Sequence, residues 1–524
     1  MIRRTLLLAL LLSVPFVAVT PAALPPGAAG TPCASLAALT IPNVVVRAAT
    51  AIAAGPFTPP GARNAITLPA FCRVEGVARP TSDSEIGFEV WIPPAEAWNG
   101  KFQGVGNGGY SGSVSYPALA TALQGGYATA STDTGHLGDD LKFGDGHPEK
   151  VVDWAHRAIH LTADVGKLIV RNNTGRFPDH SYFVGCSTGG HQALSEAQRY
   201  PDDYDGIVAG DPGYDRVHQT FSFLWLWMQT HKDGVSLVPS EKLPMITKAA
   251  VAACDAVDGV KDGIIDDPRR CRFDPASLLC RGEDSAGCLT APQVGAVKAM
   301  YAGLKNPRTG EEIFPGYSPG SEGFGETANM SWRPYILEPR EPMRVGVLKS
   351  FLFNDPNWDY RTVDFDRDVA YADAKLGFMS AVDRNLTPFK KRGGKLVMYT
   401  GWADPVAAPL DIIKYYEGVT NTMGGLDKTK DFYRFFLAPG MGHCGGGPGP
   451  NTFDALGALE QWVEHGTAPD KLIASHVTAG KTDRTRPLCS YPQVAKWKGT
   501  GTTDDAANFS CVNDERVLRT SAPR

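Results

Sequence analysis

A serine hydroxyl becomes a useful nucleophile only when an imidazole takes its proton and a carboxylate holds that imidazole in one tautomer. Three motifs in this chain carry those residue types. Tyr182-Phe183-Val184-Gly185-Cys186-Ser187-Thr188-Gly189-Gly190 contains G-x-S-x-G, Gly401-Trp402-Ala403-Asp404-Pro405 carries an aspartate, and Gly440-Met441-Gly442-His443-Cys444-Gly445 carries a histidine. Small residues flank Ser187, as a tight turn requires if the hydroxyl is to stand clear and the next N–H is to face a developing oxyanion. Each motif has an inert alternative: a Gly-Ser turn, an Asp-Pro turn starter and a lone loop histidine. Together, in the order Ser187, Asp404, His443, they form a candidate triad. Thr188 is expected to give one oxyanion N–H, and Gly108 or Gly109, in Gly106-Asn107-Gly108-Gly109-Tyr110, the second. A phosphate loop would want a following lysine and a helix start, which Tyr110-Ser111-Gly112-Ser113 lacks. No organic cofactor is expected.

The chain has ten cysteines, an even number that suits a full set of disulfides in an exported protein. Loop-closure entropy favours near neighbours, which gives Cys33 with Cys72, Cys254 with Cys271, Cys280 with Cys288, and Cys489 with Cys511. Cys186 and Cys444 are left over, one immediately before Ser187 and one immediately after His443. A bond between them would bring their Cα atoms to roughly 4.4–6.8 Å and hold the serine turn beside the histidine loop. Paired C-x2-C spacings of the zinc type are absent from the sequence.

Cys254-Asp255-Ala256-Val257-Asp258-Gly259-Val260-Lys261-Asp262-Gly263-Ile264 sets three carboxylates among glycines. Calcium takes six to eight oxygens, and Asp255, Asp258 and Asp262 with the carbonyls of Val260 and Ile264 would supply five positions. The terminal glutamate of an EF-hand is missing, and a solvated series of Asp-Gly turns is the alternative.

These residues need elements to position them. Short β-rich runs at Phe88–Ile92, Phe102–Val105, Tyr127–Ser131, Tyr182–Val184 and Ile207–Ala209 alternate with helical spacing at Asp153–Arg171 and Gly190–Tyr200, the pattern of a parallel sheet with crossover helices. The alternation stops over 211–393 and resumes with the strand Lys395–Thr400, a helix near Leu410–Glu417, the strand Phe432–Leu437 and the helix Phe453–His465. The expected architecture is an α/β catalytic domain, 31–210 with 394–524, interrupted by a lid domain, 211–393, that carries the acidic loop. Within the lid, Phe223, Trp225 and Trp227 could stack on a substrate ring, but their dense spacing favours core. Arg340 and Arg344 could pair a substrate carboxylate, but each is expected at the solvated surface.

Met1-Ile2-Arg3-Arg4, the apolar run Leu6–Val19 and the small residues that follow read as a signal peptide over roughly residues 1–30, so the product is expected to be secreted or periplasmic. No run approaches the roughly 20 apolar residues of a membrane span, and no membrane partner is expected. The formal net charge is −5, with no basic stripe to displace phosphate counterions, so nucleic acid is not an expected partner. Oligomeric state has no signature in these motifs.

The motifs around Ser187, Asp404 and His443-Cys444, with the Asp255–Ile264 loop and the tail from Arg486-Pro487-Leu488-Cys489 to Phe509-Ser510-Cys511, resemble the tannase and feruloyl esterase family, which includes mono(hydroxyethyl) terephthalate hydrolases. The resemblance spans nearly the whole mature chain. It implies an α/β-hydrolase core with a large inserted lid domain and five disulfides, one joining Cys186 to Cys444. It also implies one structural Ca2+ on Asp255, Asp258, Val260, Asp262 and Ile264. The implied activity is hydrolysis of small aromatic esters through an acyl-enzyme. Thr188 after the serine fits the feruloyl esterase and tannase pattern, whereas terephthalate-monoester enzymes more often carry an acidic residue there. A galloyl ester or a terephthalate monoester is the alternative substrate, and a non-catalytic binding protein or an acyltransferase the alternative role.

Overall fold

The computed structural model describes residues 30–325, 327 and 329–513. The expected leader lies outside them apart from Gly30. Nine strands form one sheet: β1 (Val44–Ile52), β2 (Phe71–Ala78), β3 (Ile86–Ile92), β4 (Lys101–Val105), β5 (Ala128–Thr132), β6 (His180–Cys186), β7 (Gly206–Gly210), β8 (Lys395–Gly401) and β9 (Tyr433–Ala438). Their spatial order is β1-β2-β3-β5-β4-β6-β7-β8-β9. The β1–β2, β2–β3 and β3–β5 pairs are antiparallel. Every later pair is parallel.

Parallel strands are covered on both faces and therefore read as apolar runs. Every residue of β5 and β7 is buried. Because successive side chains point to opposite faces, Phe183, Ile207 and Met398 join the helices Ala158–Thr174 and Pro409–Thr422 in one layer. Tyr182, Val208 and Val397 join Tyr116–Gln124 and Ala455–His465 in the other. The helix expected over Asp153–Arg171 begins as a wide turn, Asp153–Arg157, before Ala158–Thr174. It ends on Gly175 at φ 81°, the left-handed stop that glycine accepts without strain.

Between β7 and β8 the chain leaves the sheet and builds a separate apolar cluster around Phe221, Ile246, Val297, Trp332 and Leu352, joined by Tyr110, Trp154 and Val406 from the flanking segments. Phe223 and Trp227 are buried in it and Trp225 packs against it. Two antiparallel hairpins close the described chain, Lys471–Thr478 with Lys481–Cys489 and Gln493–Trp497 with Phe509–Asn513. All ten cysteines are bonded, as Cys33–Cys72, Cys186–Cys444, Cys254–Cys271, Cys280–Cys288 and Cys489–Cys511. Such bonds persist in oxidising compartments. No helix among the described residues is long and apolar enough to cross a membrane.

Candidate active site

Ser187 stands between β6 and the helix Thr188–Arg199 with φ 64° and ψ −117°, a strained conformation for a residue with a side chain. Its N–H donates to the Gly210 carbonyl at 3.0 Å, and its own carbonyl accepts from the His191 N–H at 3.0 Å. The turn closes tightly: a Cβ at Gly185 would lie 2.4 Å from the Gly189 carbonyl oxygen. Only glycine fits there.

Asp404 follows β8 and His443 follows β9. His443 Nε2 lies 2.8 Å from Ser187 Oγ, and His443 Nδ1 lies 2.7 Å from Asp404 Oδ2. Asp404 is fully buried, and its other oxygen accepts from the Val406 and Ala407 N–H groups at 2.7 and 2.9 Å. Burial pulls the imidazole toward its neutral form, but the Asp404 charge and hydrogen bond, together with the Asp211 charge, outweigh it and hold His443 above its ordinary value. The Cys186–Cys444 bond flanks this contact, with Cα atoms 5.9 Å apart. In this geometry the imidazole can accept the serine proton while Asp404 holds the opposite nitrogen.

The glycine loop is fixed to the serine turn. Thr188 Oγ1 donates to the Gly109 carbonyl at 2.7 Å, and the Asn107 N–H donates to Gln192 Oε1 on the same helix at 2.9 Å. A Cβ at Gly108 or Gly109 would meet nothing within 4 Å, so open space adjoins the loop.

Two residues here escaped the sequence reading, and a third was misplaced by it. Asp211, fully buried, accepts from Thr400 Oγ1 and the Gly401 N–H at 2.8 Å each and from the Cys444 N–H at 2.9 Å. Its position at the carboxyl end of a parallel strand, where ligand and site residues gather, was the available signal. Arg216 is buried, and among the described residues its Nε and one Nη find no hydrogen-bond partner, while the guanidinium lies over the Tyr110 and Trp154 rings. Burial and the charge of Arg344 pull Arg216 down to about 9. Arg344 corrects the surface expectation: it is buried, donates to Gln219 Oε1 at 2.8 Å and lies over the Tyr110 and Phe223 rings. The insert folds over it, which residue type alone does not reveal. Arg340 is exposed.

In the acidic loop, Asp255 Oδ1 accepts from the Asp262 and Gly263 N–H groups at 3.0 and 3.1 Å, and Asp258 Oδ1 accepts from the Val260 N–H at 3.0 Å. Arg486 pairs with Asp262 at 2.5 Å. Burial and the charges of Asp258 and Asp267 push the Asp266 carboxyl up to about 8, against the pull of Arg486. Asp255, Asp258 and Asp262 thus share one loop with a single pairing arginine, Arg486, and hard oxygen donors of this kind suit Ca2+.

Residues 72–512 match the protein family described as tannase and feruloyl esterase. An uncharacterized esterase of Xanthomonas campestris pv. campestris is 42% identical over 92% of each chain. A mono(2-hydroxyethyl) terephthalate hydrolase of Piscinibacter sakaiensis is 34% identical over 86% of each. The crystal structure of feruloyl esterase B from Aspergillus oryzae is similar with a TM-score of 0.85 and 31% identity, over 92% of this chain and 99% of that one.

Proposed function

The chain belongs to the tannase and feruloyl esterase family and is a carboxylic ester hydrolase; from that premise we propose that it cleaves esters of hydroxycinnamic acids through an acyl-enzyme on Ser187. The observation that carries this reading is the continuous path from Ser187 Oγ to His443 Nε2, 2.8 Å, and from His443 Nδ1 to Asp404 Oδ2, 2.7 Å. Ser187 Oγ attacks the ester carbonyl while His443 takes its proton, and Asp404 stabilises the imidazolium. The Thr188 N–H, with that of Gly108 or Gly109, stabilises the oxyanion. His443 then protonates the departing alkoxide, and water, activated by the same imidazole, releases the acid. Residues 211–393 act as the lid over this site, and the protein works in the periplasm or outside the cell.

Ser187→Ala tests the reading: hydrolysis of methyl ferulate should vanish while the protein stays folded and retains its melting temperature. Full residual activity in that variant would overturn it.

A second reading is favoured by Arg216 and Arg344. Among the described residues neither has a carboxylate partner, and a buried unpaired charge is costly. A monoester of an aromatic diacid would offer the missing carboxylate. A panel of methyl ferulate, methyl gallate, chlorogenic acid and mono(hydroxyethyl) terephthalate separates the readings. The first predicts the highest kcat/KM on a hydroxycinnamate, and the second on the terephthalate monoester.

We also propose one structural Ca2+ held by the carboxylates of Asp255, Asp258 and Asp262 and the carbonyls of Val260 and Ile264. When bound, it would neutralise the clustered carboxylates and tie the loop together; it takes no part in bond breaking.

A further inference from the structure

We propose that Asp211 is a positioning residue for this reaction: a second carboxyl group that ties the Asp404 turn and the His443 loop to the nucleophile's end of the sheet and stabilises the imidazolium as it forms. The proposal rests on the triad reading above.

The geometry is the first argument. Asp211 follows β7 with φ 36°, an uncommon conformation for a residue with a side chain. Its neighbour Gly210 accepts from the Ser187 N–H, and its own N–H donates to the Tyr399 carbonyl at 2.8 Å. Its side chain then reaches two other loops. Oδ1 accepts from Thr400 Oγ1 and the Gly401 N–H, just ahead of Asp404, and Oδ2 accepts from the Cys444 N–H, next to His443. One carboxylate thus bonds to both segments that carry the other triad members, from a strand end bonded to the third.

Charge is the second argument. A carboxylate oxygen of Asp211, one of Asp404 and a ring nitrogen of His443 lie within 4.8 Å of one another, and all three residues are buried. The groups facing Asp211 are Asp404 from the turn after β8, His443 from the loop after β9 and Tyr399 from β8, while Arg344 opposes its effect at His443. Burial and the Asp404 charge push the Asp211 carboxyl up, and a positive charge on His443 pulls it back toward its ionised form. Two buried carboxylates this close repel unless a positive charge joins them. That charge appears when His443 takes the serine proton, so the benefit of ionised Asp211 is greatest in the transition state. No proton moves to Asp211 in the step.

The test uses p-nitrophenyl acetate, whose hydrolysis is independent of the acid preferred. Asp211→Asn should lower kcat by about tenfold or more with KM nearly unchanged, as for a group that acts through another. It should also shift the acid limb of the kcat/KM profile to lower pH, because the imidazole loses a negative neighbour. If Asp211→Asn does not fold, Thr400→Val is read instead. It removes one donor from the carboxylate, disfavours its ionisation and should move the limb the same way. A folded variant with an unmoved acid limb overturns the proposal. Labelling of wild-type Ser187 by a serine-directed phosphonate separates the two failures. Labelling with an unmoved limb sinks the Asp211 role alone, whereas absence of labelling sinks the triad.

Discussion

Cys186 and Cys444, 258 residues apart in sequence, are disulfide-bonded with Cα atoms 5.9 Å apart, and each is the chain neighbour of one partner in the Ser187–His443 hydrogen bond. Chain-entropy reasoning assigns a closed loop of this size about 5 kcal/mol of stabilisation. The position adds a local effect, since the bond limits how far the serine turn and histidine loop can separate. The double variant Cys186→Ser, Cys444→Ser should melt several degrees lower and lose kcat more than KM. With the wild-type enzyme, graded reduction should abolish turnover before the far-UV circular dichroism changes.

Asp404→Asn is expected to lower kcat by about 10³–10⁴-fold while the fold persists. Asparagine keeps an oxygen for the Val406 and Ala407 N–H groups but loses the charge that orients and stabilises the imidazolium. A KM change larger than the kcat change would show that Asp404 acts on binding instead.

The acid side of the pH profile follows from His443. Its pKa is raised above 6.5 in the folded protein, and the base must be neutral to accept the serine proton. The kcat/KM for p-nitrophenyl acetate should therefore fall as pH drops through a value above 6.5. Linkage has the opposite sense for stability. A raised folded-state pKa contributes stability that is fully present below the unfolded-state value and is lost as pH rises through the folded one. Acid inactivation near this limb should accordingly be reversible, with circular dichroism unchanged.

Chelation should lower the melting temperature by a few degrees, the effect expected when a ligand present at about 100 times its Kd, worth roughly 2.7 kcal/mol, is removed. The kcat of the protein still folded should change little. Asp258→Asn should reproduce the lower melt and make it insensitive to chelator. Elemental analysis that finds no calcium, with an unchanged melt, would remove the ion from the description.

The parallel half of the sheet was legible because β6, β7, β8 and β9 are apolar runs ending in small residues, and the motifs that carry Ser187, Asp404 and His443 follow β6, β8 and β9. β1 and β2 were missed. They are antiparallel and lie toward the edge; β1 is partly exposed, with Arg47 interrupting its apolar pattern and a register shift beside that residue. Its hydrophobic signal is correspondingly broken. The hairpins after Lys471 were missed for a related reason: their strands alternate with many charged and polar residues. Asp211 is followed by Pro212 in the sequence, and nothing in that dipeptide says that three donors from β8 and the histidine loop converge on the carboxylate. Arg344 shows the same limit from the other side. Its burial is a property of the insert's packing over Tyr110 and Phe223.

The insert leaves the sheet at Gly210 and rejoins it at Lys395, on strands that pair directly with Gly206 beside Lys395. At strand spacings of about 4.8 Å across and 3.3 Å along, its two ends lie roughly 15 Å apart. To the sheet, the whole insert is a single enlarged crossover of the kind that any parallel strand pair requires. Apart from Asp211 at its start and Asn329, whose carbonyl accepts from the His443 N–H at 2.8 Å, its length and contents can change without altering the register of β7 against β8. Much of the insert can therefore be rewritten while the strands that carry Ser187, Asp404 and His443 keep their places.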